Sequence, residues 1–125
     1  MKYPSIDQQI TFIYTENLKT STQFYEETMG LELWLDQGSC RIYKVAGDSY
    51  LGICQRNDTA KQHSDIILTI VTKDVDQWHT HLQNCGVDIE KAPENNLKYN
   101  IYHFFLHDPD GYLIEIQCFL ADDVV

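Results

Sequence analysis

The sequence predicts an α+β protein built from two copies of a β-α-β-β-β unit. Three observations carry that expectation. Strand-like and helix-like stretches follow one another in the same order in both halves; the glycines closing the two helical stretches, Gly30 and Gly86, stand 56 residues apart; and a polar segment without periodicity, QRNDTAKQHSD, separates the halves.

In the first half, Ile10 to Tyr14 is a short β-rich run. Leu18 to Met29 follows, with Leu18, Phe24, Tyr25 and Met29 near one helical stripe and Gly30 as the residue after the helix. LELWLD, CRIYKV and YLGICQ are then strand-like, separated by the turn-rich QGS and AGDS. The second half repeats the order with IILTIV, a helix from Val75 to Cys85, and the strands VDIEKA, YNIYHFFL and YLIEIQCF. Leu51 of YLGICQ lies 62 residues before Leu113 of YLIEIQ, so the second copy carries a small insertion. The expected organisation is one domain, residues 1–125, with module one at about 8–56, a linker at 57–64 and module two at about 65–119.

At 125 residues and 14.6 kDa, 43% hydrophobic and 22% charged, the chain has the size and balance of one globular domain. No apolar run approaches the roughly 18 residues of a membrane span, and MKYPSIDQQI lacks the apolar core of a secretory signal, which points to the cytoplasm. A formal charge of −10 repels phosphate backbones and anionic lipid, so neither nucleic acid nor membrane is expected as a partner. The same charge serves solubility or the attraction of a cationic ligand. Cys40, Cys54, Cys85 and Cys118 show no CxxC spacing and lie in or beside apolar segments, which reads as buried free thiols rather than a disulfide or zinc framework. GxGxxG, GxxxxGK[ST], HExxH and GxSxG are absent.

TENLKTSTQFYEETMGLEL resembles the opening strand-helix signature of the vicinal oxygen chelate superfamily, and DPDGYLIEI resembles its closing signature. That superfamily contains the glyoxalases, the bleomycin resistance proteins and the extradiol dioxygenases. The resemblance covers about residues 8 to 119 and implies paired modules whose sheets curl into a cup around a small organic ligand. It further implies a homodimer, because two-module members commonly pair. Exposed edges of apolar strands such as ILTIV favour association as well. Metal-dependent members place His or Glu ligands on the first and last strands of the modules. Aligned by helix starts and the LIEI strand, those positions fall here on Ile10, Ile67, Ile53 and Glu115. Only Glu115 can bind a cation, and a one-residue slip brings in Gln9, Ile66 or Leu68 without restoring a histidine. No metal and no other cofactor is therefore expected, the alternative being a rearranged divalent site from His103, His107 and Glu115.

In LIEIQC one parity, Ile114, Ile116 and Cys118, is apolar and is expected against the helices. Glu115 and Gln117 then face the cavity together with His103 and Phe105 of the preceding strand. Glu115 and His103 are the candidate catalytic or ligand-orienting pair. Tyr14, Arg41, Tyr43, Phe105 and Gln117 are the candidate ligand-binding residues; Trp34 and Tyr99 are further strand aromatics, some of which must face the cup. Arg41 stands mid-strand in an acidic chain, where it can hold a carboxylate ligand or neutralise Glu115. The sequence thus supports a small-molecule-binding protein without the usual metal site, or an enzyme of the superfamily, a lyase, isomerase or dioxygenase, working through Glu115 and His103. A subunit or regulator of a larger assembly is the third reading.

Overall fold

Asn17 starts the first helix by accepting the Thr20 amide on Oδ1 at 3.1 Å, one of the donors that every helix N-terminus leaves without an intrahelical partner. In the computed structural model, which describes residues 3, 4, 6–57 and 66–120, this helix belongs to the first of two packed units, Met1–Lys61 and Gln62–Val125. The linker expected at 57–64 falls, apart from Asn57, outside the described residues. Both units are α+β, each a mixed sheet with one helical segment after its first strand.

The first unit runs from β1 (Gln9–Thr15) into α1 (Leu18–Gln23), which continues as a π-helical turn over Phe24–Thr28. Gly30, at φ +73°, ends it in the left-handed region where glycine meets no Cβ penalty. Strands β2 (Glu32–Asp36), β3 (Cys40–Ala46) and β4 (Ser49–Gln55) then form an antiparallel set. β4 returns parallel to β1, giving the order β1-β4-β3-β2. Helical residues Phe24, Tyr25 and Met29 are buried, as are Ile13, Tyr43, Leu51 and Ile53 on one face of the sheet, whose Tyr43 phenol bonds Glu26 of the helical segment. The opposite face carries Ile10, Phe12 and Tyr14 of β1 in register with Tyr50, Gly52 and Cys54 of β4.

The second unit repeats the plan with β5 (Ile67–Val71), α2 (Val75–Asn84), β8 (Ile101–His107) and β9 (Leu113–Phe119). Its order is β5-β9-β8-β6, with β5 and β9 parallel. Two short pieces, β6 (Asp88–Ile89) and β7 (Glu94–Asn96), share the outer edge of β8. The strand expected at VDIEKA is therefore shortened to Asp88–Ile89, and a second piece follows Pro93, which has no backbone N–H. Val75 and Leu82 of α2 are buried on the side that takes Phe104, Leu106, Ile114 and Ile116. The His79 ring meets Phe104 edge-on at 5.2 Å. At the DPDG turn, Asp108 Oδ1 accepts the amides of Asp110 and Tyr112, and Gly111 N–H closes onto the Asp108 carbonyl.

The cysteines differ from expectation. Cys40 and Cys54 face one another across β3 and β4 and are joined as a disulfide. Of the other two, Cys85 is an exposed thiol and Cys118 a half-buried one. Strand pairing, which spacing along the chain does not display, brings the first two together.

Gly52 answers to a steric demand. A Cβ built there lies 2.4 Å from Cδ1 and Cε1 of the Phe12 ring, closer than carbon atoms approach. Gly52→Ala should cost about 1–3 kcal/mol by overpacking. In a Phe12→Ala background the cost should vanish, because alanine is otherwise the better strand residue. Equal costs in both backgrounds, measured by urea denaturation, would show that the ring is not what Gly52 accommodates.

Candidate functional site

Strand alternation decides which side chains leave the α2-covered face. Glu115 and Gln117 of β9 and His103 and Phe105 of β8 project to the open side. The antiparallel register sets Glu115 opposite Phe105 and Gln117 opposite His103, while the parallel register sets Thr69 of β5 beside Glu115. The carboxylate thus has a hydrogen-bonding side chain on each flank. Its Oε2 lies 2.8 Å from His103 Nδ1, and its Oε1 accepts the Thr69 hydroxyl at 3.1 Å.

Glu115 is 9% exposed and His103 8%. A buried carboxylate is costly unless its lone pairs are used, and a charge-assisted bond to imidazole with a second bond from a hydroxyl provides for that. With Glu115 ionised, Nδ1–H is the donor, and in the neutral ring Nε2 is then an acceptor. Nε2 bonds no described residue. Gln117, also 9% exposed, has its carboxamide free of any hydrogen bond to described residues.

These groups floor a cavity of about 540 Å³. Ile67, Ile101, Phe105 and Phe119 supply apolar wall, and Asn96 and Tyr99 stand at its polar rim. Of the sequence candidates, Glu115, His103, Phe105 and Gln117 meet in this cavity. Thr69, Asn96, Ile101 and Phe119 were not anticipated. Alternation in ILTIV, with Thr69 on the Ile67 parity, was the available signal for Thr69; nothing local marked Asn96. Tyr99 sits in the turn before β8 rather than on a strand.

The residues at the positions aligned with metal ligands do not fit a divalent cation. Ile10 and Ile67 offer no lone pair, and both oxygens of Glu115 are engaged. Ile53, at 0% exposure in the row of Ile13, faces the helix; the open-face counterpart of Glu115 is Gly52, paired with Phe12 as Glu115 is with Thr69. The rearranged set expected was His103, His107 and Glu115. His107 turns to Asp88 at 3.4 Å and Glu90 at 3.9 Å, and among the described residues no three His, Cys, Asp or Glu side chains gather as a metal site.

A sequence model of the Glyoxalase/Bleomycin resistance protein/Dioxygenase superfamily matches residues 8–116. Among solved structures, a glyoxalase/bleomycin resistance protein/dioxygenase from Alicyclobacillus acidocaldarius superposes with a TM-score of 0.77 at 19% identity, covering 98% of this chain and 97% of the other. A lactoylglutathione lyase from Agrobacterium tumefaciens gives 0.72 at 20%, covering 93% and 95%. An integron cassette protein from the mobile metagenome of the Halifax Harbour sewage outfall gives 0.77 at 19%, covering 89% and 97%. At these identities the likeness is one of fold. Comparison with curated protein sequences finds no significant match.

Tyr14, Arg41 and Tyr43 belong to the first unit. Tyr14 is on the open face of that sheet, its ring under the Arg56 guanidinium at 4.5 Å. Arg41 and Tyr43 are on the helix-covered face of that sheet. Arg41 donates to Thr22 Oγ1 and lies 3.7 Å from Glu26 and from Asp36, far in sequence from the Glu115 it was considered to neutralise. Tyr43, at 0% exposure, donates its phenol to Glu26 at 2.7 Å. Burial, reinforced by that bond and by the Glu26 charge, pushes the phenol up to about 12 against the opposing pull of Arg41. A group raised on folding contributes stability that is whole below its unfolded value near 10 and is lost as pH rises through 12. Wild type should therefore lose stability between pH 10 and 12. Tyr43→Phe, which cannot ionise, should lose less over the same interval, Tyr102 contributing equally to both slopes. Identical slopes in chemical denaturation would count against the raised Tyr43 phenol.

Proposed function

Because the chain belongs to the Glyoxalase/Bleomycin resistance protein/Dioxygenase superfamily, we propose that it binds a small organic molecule on the open face of its second sheet, without the metal of the metal-dependent members. One observation carries this reading: a buried Glu115–His103 pair on the floor of an apolar-walled cavity, with the acceptor Nε2 and the Gln117 carboxamide left for a guest. Apolar walls supply affinity through area, and a few placed polar groups fix orientation. Glu115 acts by holding the imidazole in one tautomer and one plane.

A second reading follows from the same bond. An imidazole oriented by a carboxylate is a proton acceptor at Nε2, able to take a proton from one atom of a bound substrate and return it to another, the carboxylate stabilising the imidazolium in between. That is isomerase or lyase chemistry without a metal.

Native mass spectrometry of the protein isolated from its host should show an organic adduct. Glu115→Gln should weaken adduct retention at least about tenfold, or 1.4 kcal/mol, with little change in melting temperature. Unfolding on that substitution, with affinity of the surviving fold unchanged, would make Glu115 structural. Adduct retained but chemically unaltered in His103→Asn, where wild type alters it, identifies the second reading.

The chain is also proposed to form a homodimer. β5 is an edge strand with exposed Ile67 and Val71, and its outer edge has no strand partner among the described residues. Light scattering at tens of micromolar should give twice the 14.6 kDa chain mass. A monomer mass rejects the proposal.

A further inference from the structure

The cavity has a charge character that the binding reading leaves open. Its polar floor is Glu115, His103 and Gln117, and no Lys or Arg is among its described lining residues. Lys98, the cation beside it in sequence, sits with its ammonium over the Tyr99 ring, 5.3 Å from the centroid, and is not part of the lining. The Glu115–His103 pair carries one negative charge with the imidazole neutral and none with it protonated. In neither state is the floor positive. An anion entering the cavity would give up hydration with no opposite charge to replace it, whereas an uncharged or cationic guest would not.

Hydrogen-bond capacity narrows the class further. Gln117 is more than nine-tenths buried, lines the cavity and has both its amide donor and its acceptor unused. Nε2 of His103, opposite it in the strand register, adds an acceptor. A carboxamide is matched by a group that both donates and accepts along one edge, and the added acceptor calls for a further N–H or O–H. Phe105 and Phe119 both line the cavity and offer aromatic surface to a ring.

We infer that the ligand is an uncharged or cationic ring compound bearing an amide-like or amidine-like edge, recognised by Gln117 and His103, and that carboxylate and phosphate compounds are excluded. This rests on the cavity being the binding site. It is separable from that reading because charge can be varied at constant shape.

Benzamide, benzamidinium and benzoate are nearly isosteric and differ at one planar group. Each can be titrated against the full chain by two-dimensional NMR, following the amides of His103, Phe105, Glu115 and Gln117. Fragments of this size bind with Kd on the order of 1–10 mM. Benzamide and benzamidinium should each bind at least tenfold more tightly than benzoate. Gln117→Glu keeps the side-chain shape while exchanging the amide donor for a charge; it should weaken benzamide and strengthen benzamidinium. Benzoate binding as well as the other two, or unchanged preferences in Gln117→Glu, overturns the ligand class and leaves the cavity a binding site. No shift at the four amides with any probe at tens of millimolar overturns both.

Discussion

In each unit the helix after the first strand packs on one face of a mixed sheet, and that packing decides what the other face can offer. A parallel pairing of first and last strands requires a crossover, and the helix within the crossover must bury its apolar stripe somewhere. In the second unit the stripe takes Phe104, Leu106, Ile114 and Ile116. With a side-chain period of two, Glu115, Gln117 and His103 have only the opposite face left. A carboxylate placed there becomes partly enclosed by its strand neighbours, and its energetic problem is solved by Thr69 and His103 on either side. The Glu115–His103 geometry is therefore a by-product of satisfying a buried acid, and the acid is where it is because isoleucines claimed the helix side.

Some of this was legible in the sequence because one strand, LIEIQC, separates its parities cleanly. Strand β3 of the first unit does not. In CRIYKV, Cys40, Ile42 and Lys44 oppose Arg41, Tyr43 and Val45, each set mixing apolar and polar residues, so alternation alone assigns no face. What assigns it is distant: Glu26, from the π turn, draws the Tyr43 phenol and the Arg41 guanidinium under the helix. Likewise, matching YLGI to YLIE aligns Leu51 with Leu113, yet pairing with the first strands aligns Gly52 with Glu115. The string is off by one residue, and one residue is a change of face, which is why Ile53 was placed in the cavity instead of beneath α1.

The disulfide was hidden for a related reason. Cys40 and Cys54 have no motif spacing, and only the β3–β4 register reveals that they are opposite. Such bonds persist in oxidising compartments and are rare where thiols are kept reduced. The Cys40–Cys54 bond ties together the two middle strands of the first sheet. It lies in the first unit, in the row of Tyr14, and none of its atoms belongs to the cavity of the second.

The contact between Phe12 and Gly52 has a consequence for descent. Where the second repeat has Thr69 beside a carboxylate, the first has an aromatic ring lying over a bare α-carbon. If the two repeats arose from one ancestral half, their open faces have since diverged, one with the Phe12 ring over Gly52 and the other with Glu115, His103 and Gln117 lining a cavity. The first half cannot easily regain a liganding side chain. Any residue larger than glycine at 52 meets the ring, and shrinking residue 12 first bares apolar surface with no immediate return. Two changes are needed, the first disadvantageous by itself, so the asymmetry between the halves acts as an evolutionary ratchet.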